Sequence, residues 1–276
     1  MLVTTREMFA KAKEGNYAIP SPDYFDSNSC RAYVRTAEKL HQPTIISYAQ
    51  AHSEMLNVEE AAMIGLYYAK HASVEVALHL DHGTTKEVIF KPIDLGFSTV
   101  MIDASMESFE NNVSRTKEVV EYAHKHGVTV EAEIGHVGSG ENYENHDVTD
   151  SIYTEVDTAR KFVEQTNVDS LAVSIGTAHG KYKGTPIINF DRLHELHEAI
   201  SVPLVLHGGS SSGDENLHRC ASEGISKINI FTDLIVSALD HVNEAHPEDY
   251  FKLLHTADEG MMEMLEHYYH VFGCDR

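Results

Sequence analysis

Val74-Glu75-Val76-Ala77-Leu78 runs directly into His79-Leu80-Asp81-His82-Gly83, and this transition decides how the chain reads. A short β-type apolar run that ends abruptly in carboxylate, imidazole and glycine reads as a buried strand delivering reactive groups to its C-terminal tip. Adjacent strand residues point to opposite faces, but where the backbone turns at a strand terminus Asp81 and His82 both reach one pocket. An imidazole there can hold a metal while the carboxylate moves protons. The plainer alternative is a strand-end pair that caps the following helix.

Outward from that stretch, similar apolar runs recur at Tyr17–Pro20, Thr44–Ser47, Val76–Leu78, Thr99–Ile102, Val128–Ala132, Leu171–Ile175, Pro203–Leu206 and Lys227–Ile230. Segments of helical periodicity separate them: Asn28–His41, Val58–His71, Lys86–Leu95, Asn111–His126, Val156–Gln165, Phe190–Ala199, Asp214–Glu223 and Thr232–Ala245. A first amphipathic helix is expected from Thr4 to Gly15, and a final helix pair from about Pro247 to Phe272. Each short buried strand is followed by a crossover long enough to return parallel. In 276 residues without a Pro/Ser linker, this predicts an α/β fold. The expected form is a (β/α)8 TIM barrel as a single domain over 1–276 with extra C-terminal helices; a doubly wound open sheet is the alternative.

Acidic residues outnumber basic ones 43 to 21, a formal charge of −22. That balance excludes nucleic acid or an anionic membrane as a general partner, so any phosphate must be caught locally. The N-terminus has no basic leader with an apolar core, and no run approaches the ~20 apolar residues of a membrane span. A soluble, cytoplasmic protein is expected. Cys30, Cys220 and Cys274 are scattered without CxxC spacing, which suggests neither a disulfide framework nor a thiolate metal site. Most of the 19 histidines, among them His41, His71, His124, His126, His194, His197 and His241, lie in polar helical contexts that suit a solvated side chain.

A barrel builds its site at the C-terminal strand ends. Those ends carry Asp81 and His82, Asp103-Ala104-Ser105, Glu133-Ile134-Gly135, Gly176-Thr177-Ala178-His179-Gly180, His207-Gly208-Gly209-Ser210, and Asn229 with Thr232. His82, His179 and His207 come from three separate ends, and three imidazoles with an open fourth position make a catalytic zinc site. The competing reading is that each histidine hydrogen-bonds its own loop. Asp81 is placed to shuttle a proton or, alternatively, to orient a histidine. Asp103 and Glu133 are candidate orienting groups or alternate ligands. Gly180, Gly208, Gly209, Ser210, Asn229 and Thr232 follow the late strands, where backbone amides and a helix N-terminus bind phosphate. Glycine also serves turn geometry alone.

His79-Leu80-Asp81-His82, Met101-Ile102-Asp103-Ala104-Ser105, Glu131-Ala132-Glu133-Ile134-Gly135, Gly176–Gly180, Leu204–Ser210 and Lys227–Ile230 together resemble the successive motifs of the class II, metal-dependent ketose-bisphosphate aldolases. The tagatose-bisphosphate branch is the most similar, and the likeness is co-linear over nearly the whole chain. The resemblance implies a zinc-dependent retro-aldol cleavage that releases dihydroxyacetone phosphate. It also implies a sugar-phosphate substrate, an accessory monovalent cation and a homo-oligomer, dimer or tetramer. By that carry-over His82, His179 and His207 hold zinc, and Asp81 exchanges a proton at the cleaved bond. Gly180, Gly208, Ser210, Asn229 and Thr232 then hold the donor phosphate. The chemistry is coherent, because a +2 ion on neutral ligands stabilises the enediolate that cleavage leaves.

The departures fall on the substrate side. Ser21-Pro22-Asp23 stands where the family usually has Ala-Phe-Asn, and Tyr48-Ala49-Gln50-Ala51 replaces a Ser/Thr and Gly turn. Ser139-Gly140-Glu141-Asn142 keeps one acidic position of the family's mobile loop and loses the next, leaving Glu141 as the candidate catalytic group of a lid from His136 to Ser151; a solvated surface loop is the plainer alternative. Phe231 replaces Asp or Ala. His246-Pro247-Glu248 replaces an Asp-Pro-Arg associated with the distal phosphate. These changes point to a phosphorylated ketose with an altered distal end. Two other readings stand beside it: a catalytically inactive metal- or sugar-phosphate-binding protein on the same scaffold, and a metal-assisted hydrolase.

Overall fold

The computed structural model describes residues 1–135, 153–178 and 186–275. Eight strands, β1 (Ile19–Pro22), β2 (Thr44–Ala49), β3 (Val76–Gly83), β4 (Thr99–Ile102), β5 (Thr129–Ile134), β6 (Ser170–Val173), β7 (Leu204–Leu206) and β8 (Ile225–Ile230), form one parallel sheet in the order β1-β8-β7-β6-β5-β4-β3-β2. The ring closes just past β1. Asp23 bridges to Ser47 in parallel register, the Tyr24 N–H donates to the Ser47 carbonyl at 2.9 Å, and the Ser21 and Ser47 hydroxyls lie 2.7 Å apart. The result is the expected (β/α)8 barrel. Nearly every strand residue is buried, because helices cover the outer face and side chains fill the lumen.

The crossover helices are α2 (Ser27–Leu40), α3 (Val58–His71), α4 (Lys86–Leu95), α5 (Phe109–Lys125), α6 (Val156–Thr166), α7 (Phe190–Ala199), α8 (Asp214–Ser222) and α9 (Thr232–Ala245). Their starts are locally encoded: Asp26, Asn57, Thr85, Ser108 and Asn189 each accept a hydrogen bond from the amide three residues on. Each such cap stabilises its helix by about 1 kcal/mol. An earlier helix, α1 (Thr5–Gly15), packs Met8, Phe9 and Ala12 against Ile19, Ile45 and Ala77 at the beginnings of β1 to β3. This plugs the N-terminal mouth of the barrel and leaves the opposite mouth for chemistry.

The expected final helix pair is instead one 22-residue helix, α10 (Tyr250–Val271), begun by the Asp249 cap. Gly260 lies inside this helix and does not break it. A Cβ there would lie 2.6 Å from the Ser237 carbonyl oxygen, so Gly260 lets α10 approach α9 closely, and the Ser237 hydroxyl donates to the Gly260 carbonyl at 2.8 Å. The helix is also pinned by the Arg31–Asp258 ion pair at 2.5 Å and by the Tyr269 hydroxyl donating to the Pro43 carbonyl at 2.9 Å. Among the described residues no helix is long and apolar enough to cross a membrane. Cys30, Cys220 and Cys274 are buried free thiols.

Candidate active site

Asp81 and His82 lie inside β3. The strand pairs with β4 as His79 to Thr99 and Leu80 to Val100, and then Gly83 to Ile102, so β3 advances three residues while β4 advances two. This is a β-bulge, with His82 at φ 51°. The extra residue breaks the alternation of faces, and the ligand atoms of Asp81, His82 and His207 come within 4.8 Å of one another. A bulge therefore does what a turn beyond the strand was expected to do. Gly83 permits it, since a Cβ there would lie 2.5 Å from the Ile89 side chain and 2.8 Å from the Met101 carbonyl oxygen.

The two described histidines are each oriented by a carboxylate. His82 Nδ1 donates to Asp103 Oδ2 at 2.9 Å, while Asp103 Oδ1 accepts from the Ser105 amide at 3.1 Å and the Ser105 hydroxyl at 2.7 Å. His207, fully buried after β7, donates from Nε2 to Glu131 Oε1 at 2.9 Å. The rings meet edge to face with centroids 4.6 Å apart. These bonds fix the tautomers, so His82 Nε2 and His207 Nδ1 are the nitrogens a metal would take. Burial disfavours the charged form of His82. Asp81, the hydrogen bond to Asp103 and the nearby Glu133 outweigh that effect and push its pKa up to about 10. Asp103 is drawn the other way. Burial opposes its charge, but the hydrogen bonds from His82 and Ser105 hold its carboxyl well below the usual range. Carboxylate-oriented imidazoles beside Asp81 fit a divalent ion, which would displace the proton on His82 Nε2. Glu133, 1% exposed, lies close enough to His82 and Asp103 to join an alternate set.

Beneath this layer Lys227 is buried completely, its ammonium donating to Glu131 at 2.8 and 3.0 Å and to His79 Nε2 at 3.2 Å. His79 therefore carries its proton on Nδ1, which lies 3.3 Å from the Thr99 hydroxyl. Burial and then the Lys227 charge lower the His79 pKa well below the usual value. His79, Asp81 and Glu131 also cluster closely. The ammonium already bonded to His79 and Glu131 supplies the positive charge there, so this lower set does not suit a metal.

Beside Asp81 opens a cleft of about 270 Å³ lined by Asp23, Asp81, Gly208, Gly209, Ser210, Asn229 and Phe231 with their neighbours Ile230 and Thr232. Asn229 donates from Nδ2 to Asp81 Oδ1 at 2.8 Å, so its amide orients this carboxylate. Ser210 Oγ accepts from the amides of Phe231 at 3.1 Å and Asp233 at 3.4 Å, tying the β7 turn to the N-terminus of α9. The adjoining Ser211 bonds Asp233 through its amide at 2.6 Å and its hydroxyl at 2.7 Å, and the Tyr268 hydroxyl of α10 donates to the same carboxylate. Gly208 has φ 68°, and a Cβ there would lie 2.3 Å from the Ala178 carbonyl oxygen. Close backbone approach alone thus requires glycine at this position. On the other wall the Phe231 ring packs edge to face on Phe25 and against His52 at 4.7 Å.

Residues 3–276 match the sequence model of the family described as class-II fructose-bisphosphate aldolase. The chain belongs to that family. It is 33% identical to the YdjI aldolase of Escherichia coli, whose crystal structure superposes with a TM-score of 0.91 over 100% of this chain and 98% of the other. A fructose-bisphosphate aldolase of Campylobacter jejuni superposes with a TM-score of 0.85 over 99% of this chain and 96% of the other; at 24% identity that likeness concerns the fold.

The aldolase barrel thus brings Asp81, His82, Asp103, Glu133 and His207 together, and sets Gly208, Gly209, Ser210, Asn229 and Thr232 along one adjoining cleft. His179, Gly180, Glu141 and the expected lid from His136 to Ser151 lie outside the described residues. Glu248 is exposed and pairs with Lys252 at 2.9 Å. The ion-paired group of His79, Glu131 and Lys227 went without a role in the sequence reading. Its signal is the period of two: His79 and Asp81 in β3, Glu131 and Glu133 in β5, and Lys227 and Asn229 in β8 repeat polar side chains on one face of otherwise apolar strands.

Proposed function

We propose that this chain is a zinc-dependent aldolase that reversibly cleaves a phosphorylated ketose to dihydroxyacetone phosphate and an aldehyde. The observation that carries the reading is the bulge that sets Asp81 beside two imidazoles, each locked by its own carboxylate. His82, His179 and His207 would hold the ion, with Asp103 and Glu131 fixing the two described rings and Glu133 in reserve. When bound, zinc supplies a Lewis acid at the substrate oxygens. Asp81 moves the proton at the cleaved bond: its Oδ1 is anchored by Asn229, while Oδ2 lies 3.8 Å from His82 Nε2, the face on which substrate must arrive. Glu141 is the proposed lid partner. The donor phosphate is held by Gly180, by the backbone of Gly208 and Gly209, by the Ser210 hydroxyl and by Thr232 at the N-terminus of α9, where the helix dipole favours an anion. Asn229 serves that pocket through Asp81.

The exposed Glu248, paired with Lys252, speaks for a substrate whose distal end is not a second phosphate. The buried free thiols are compatible with the proposed cytoplasmic location, and a single-domain homodimer or homotetramer with an accessory monovalent cation completes the proposal. The test is proton exchange. Dihydroxyacetone phosphate is incubated with the protein in heavy water, and the hydroxymethyl protons are followed by NMR with and without chelator. Chelator-sensitive exchange that an Asp81→Ala variant lacks is expected. Zinc binding without exchange would instead favour a binding protein on the aldolase scaffold.

A further inference from the structure

Asp23 has no assigned role in the metal or phosphate set, yet the fold holds it firmly at the lip of the barrel. Its amide donates to the Ile230 carbonyl of β8 at 3.4 Å, and its backbone bridges Ser47 of β2 on the other side. The main chain is therefore tied on both flanks, and the side chain faces the cleft shared with Asp81 and Asn229. Only 8% of Asp23 is exposed, and its Oδ1 has no hydrogen-bond partner among the described residues. Asn229 Oδ1, on a residue 6% exposed, lacks one among the described residues as well. Two buried acceptor oxygens thus line one cleft beside the Asp81 carboxylate, and no lysine or arginine is among its lining residues. The nearest buried ammonium, Lys227, is already bonded to Glu131 and His79.

A buried acceptor left unbonded is unfavourable, and the complementary chemistry is an O–H donor. On the aldolase reading proposed above, which this inference requires, the oxygens of the donor half are taken by the phosphate cradle and the metal, whereas the first hydroxyl of the aldehyde half has no partner assigned among the described residues. We infer that Asp23 is a specificity-determining residue whose Oδ1 accepts a hydrogen bond from the hydroxyl next to the aldehyde carbon, so that the cleft selects hydroxylated aldehydes over deoxy and anionic ones. Asp23 and Asp81 face this cleft together, and the negative charge the pair shares repels an anionic substituent.

The test compares aldehydes in condensation with dihydroxyacetone phosphate. Glycolaldehyde and acetaldehyde differ by one hydroxyl, and the ratio of their kcat/KM values within each variant cancels any general loss of activity. Asp23→Ala is expected to lower that ratio about tenfold relative to the wild type, the size of one buried hydrogen bond. Asp23→Asn retains an acceptor oxygen and leaves Asp81 as the one acid of the pair. It is expected to hold the ratio within about threefold while raising the preference for glyceraldehyde 3-phosphate over glyceraldehyde about tenfold. An Asp23→Ala ratio equal to that of the wild type overturns the inference. Should Asp23→Ala not fold, the near-isosteric Asp23→Asn decides through the anionic pair, and an unchanged preference there overturns it. Failure of the wild type to exchange the protons of dihydroxyacetone phosphate is a separate readout, which removes the aldolase reading and this inference together.

Discussion

Replacing Lys227 by methionine tests the buried network directly. The ammonium and the Glu131 carboxylate are 0% and 2% exposed and meet at 2.8 Å, and the same ammonium donates to His79 Nε2 at 3.2 Å. In Lys227→Met the Glu131 carboxylate remains buried with His207 as its remaining partner among these groups, and His79 loses its donor. Breaking a buried ion pair from one side costs about 3–5 kcal/mol. The lost bond to His79 overlaps with that figure, so a total of about 4 kcal/mol is expected, against the ~5–15 kcal/mol typical of a folded domain. Adding Glu131→Gln removes the stranded charge, so the double variant is expected to recover at least half of the loss. Urea denaturation of metal-free protein is the assay, because bound metal would itself stabilise the fold. A Lys227→Met variant within about 1 kcal/mol of the wild type would refute the reasoning, as would a double variant no more stable than the single one.

Asp103→Asn removes the charge that holds the His82 Nδ1 proton, and metal affinity measured by competition with a chromogenic chelator is expected to fall about 10- to 100-fold; an unchanged affinity would count against His82 as a ligand. In metal-free protein the folded His82 pKa of about 10 lies above the ordinary 6.5. Its stabilising contribution is therefore complete below about pH 6.5 and is lost as pH rises through about 10, with a slope of up to about 1.4 kcal/mol per pH unit. Denaturant titrations across that window should show the decline, and a His82→Gln variant should lack it. Gly208→Ala places a Cβ 2.3 Å from the Ala178 carbonyl oxygen at φ 68°, so a loss of about 2 kcal/mol or more is expected in thermal unfolding. Tyr268→Phe removes one of the groups that hold Asp233, and with it the Ser211 turn. The KM for dihydroxyacetone phosphate should rise severalfold with a smaller change in kcat; the reverse split would argue that α10 does not shape the phosphate cradle.

The alternation of strands and helices was legible from residues alone, because short apolar runs and helix caps are local properties. Thr99–Ile102, Val58–His71 and Lys86–Leu95 lie where the periodicity puts them. The Asp26 and Asn57 caps need no more than the next three residues. The C-terminal helix was less legible: a helix pair is expected there, whereas α10 runs unbroken through Gly260, where α9 passes so close that only glycine fits. The candidate site divides in the same way. That polar groups would gather at strand ends followed from the barrel pattern and from the ordered motifs of the family. The means of gathering them did not, because the bulge in β3 depends on a register mismatch with β4, which no single strand encodes. Likewise, the lumen-facing period of two marks Lys227, His79 and Glu131 as inward. Their pairing joins positions 148 and 96 residues apart and exists only once the barrel has closed and excluded the water that would otherwise solvate each charge. The sequence by itself determined which residues are polar at the strand ends; barrel closure decided which of them face one another, because burial makes each charge depend on its partner.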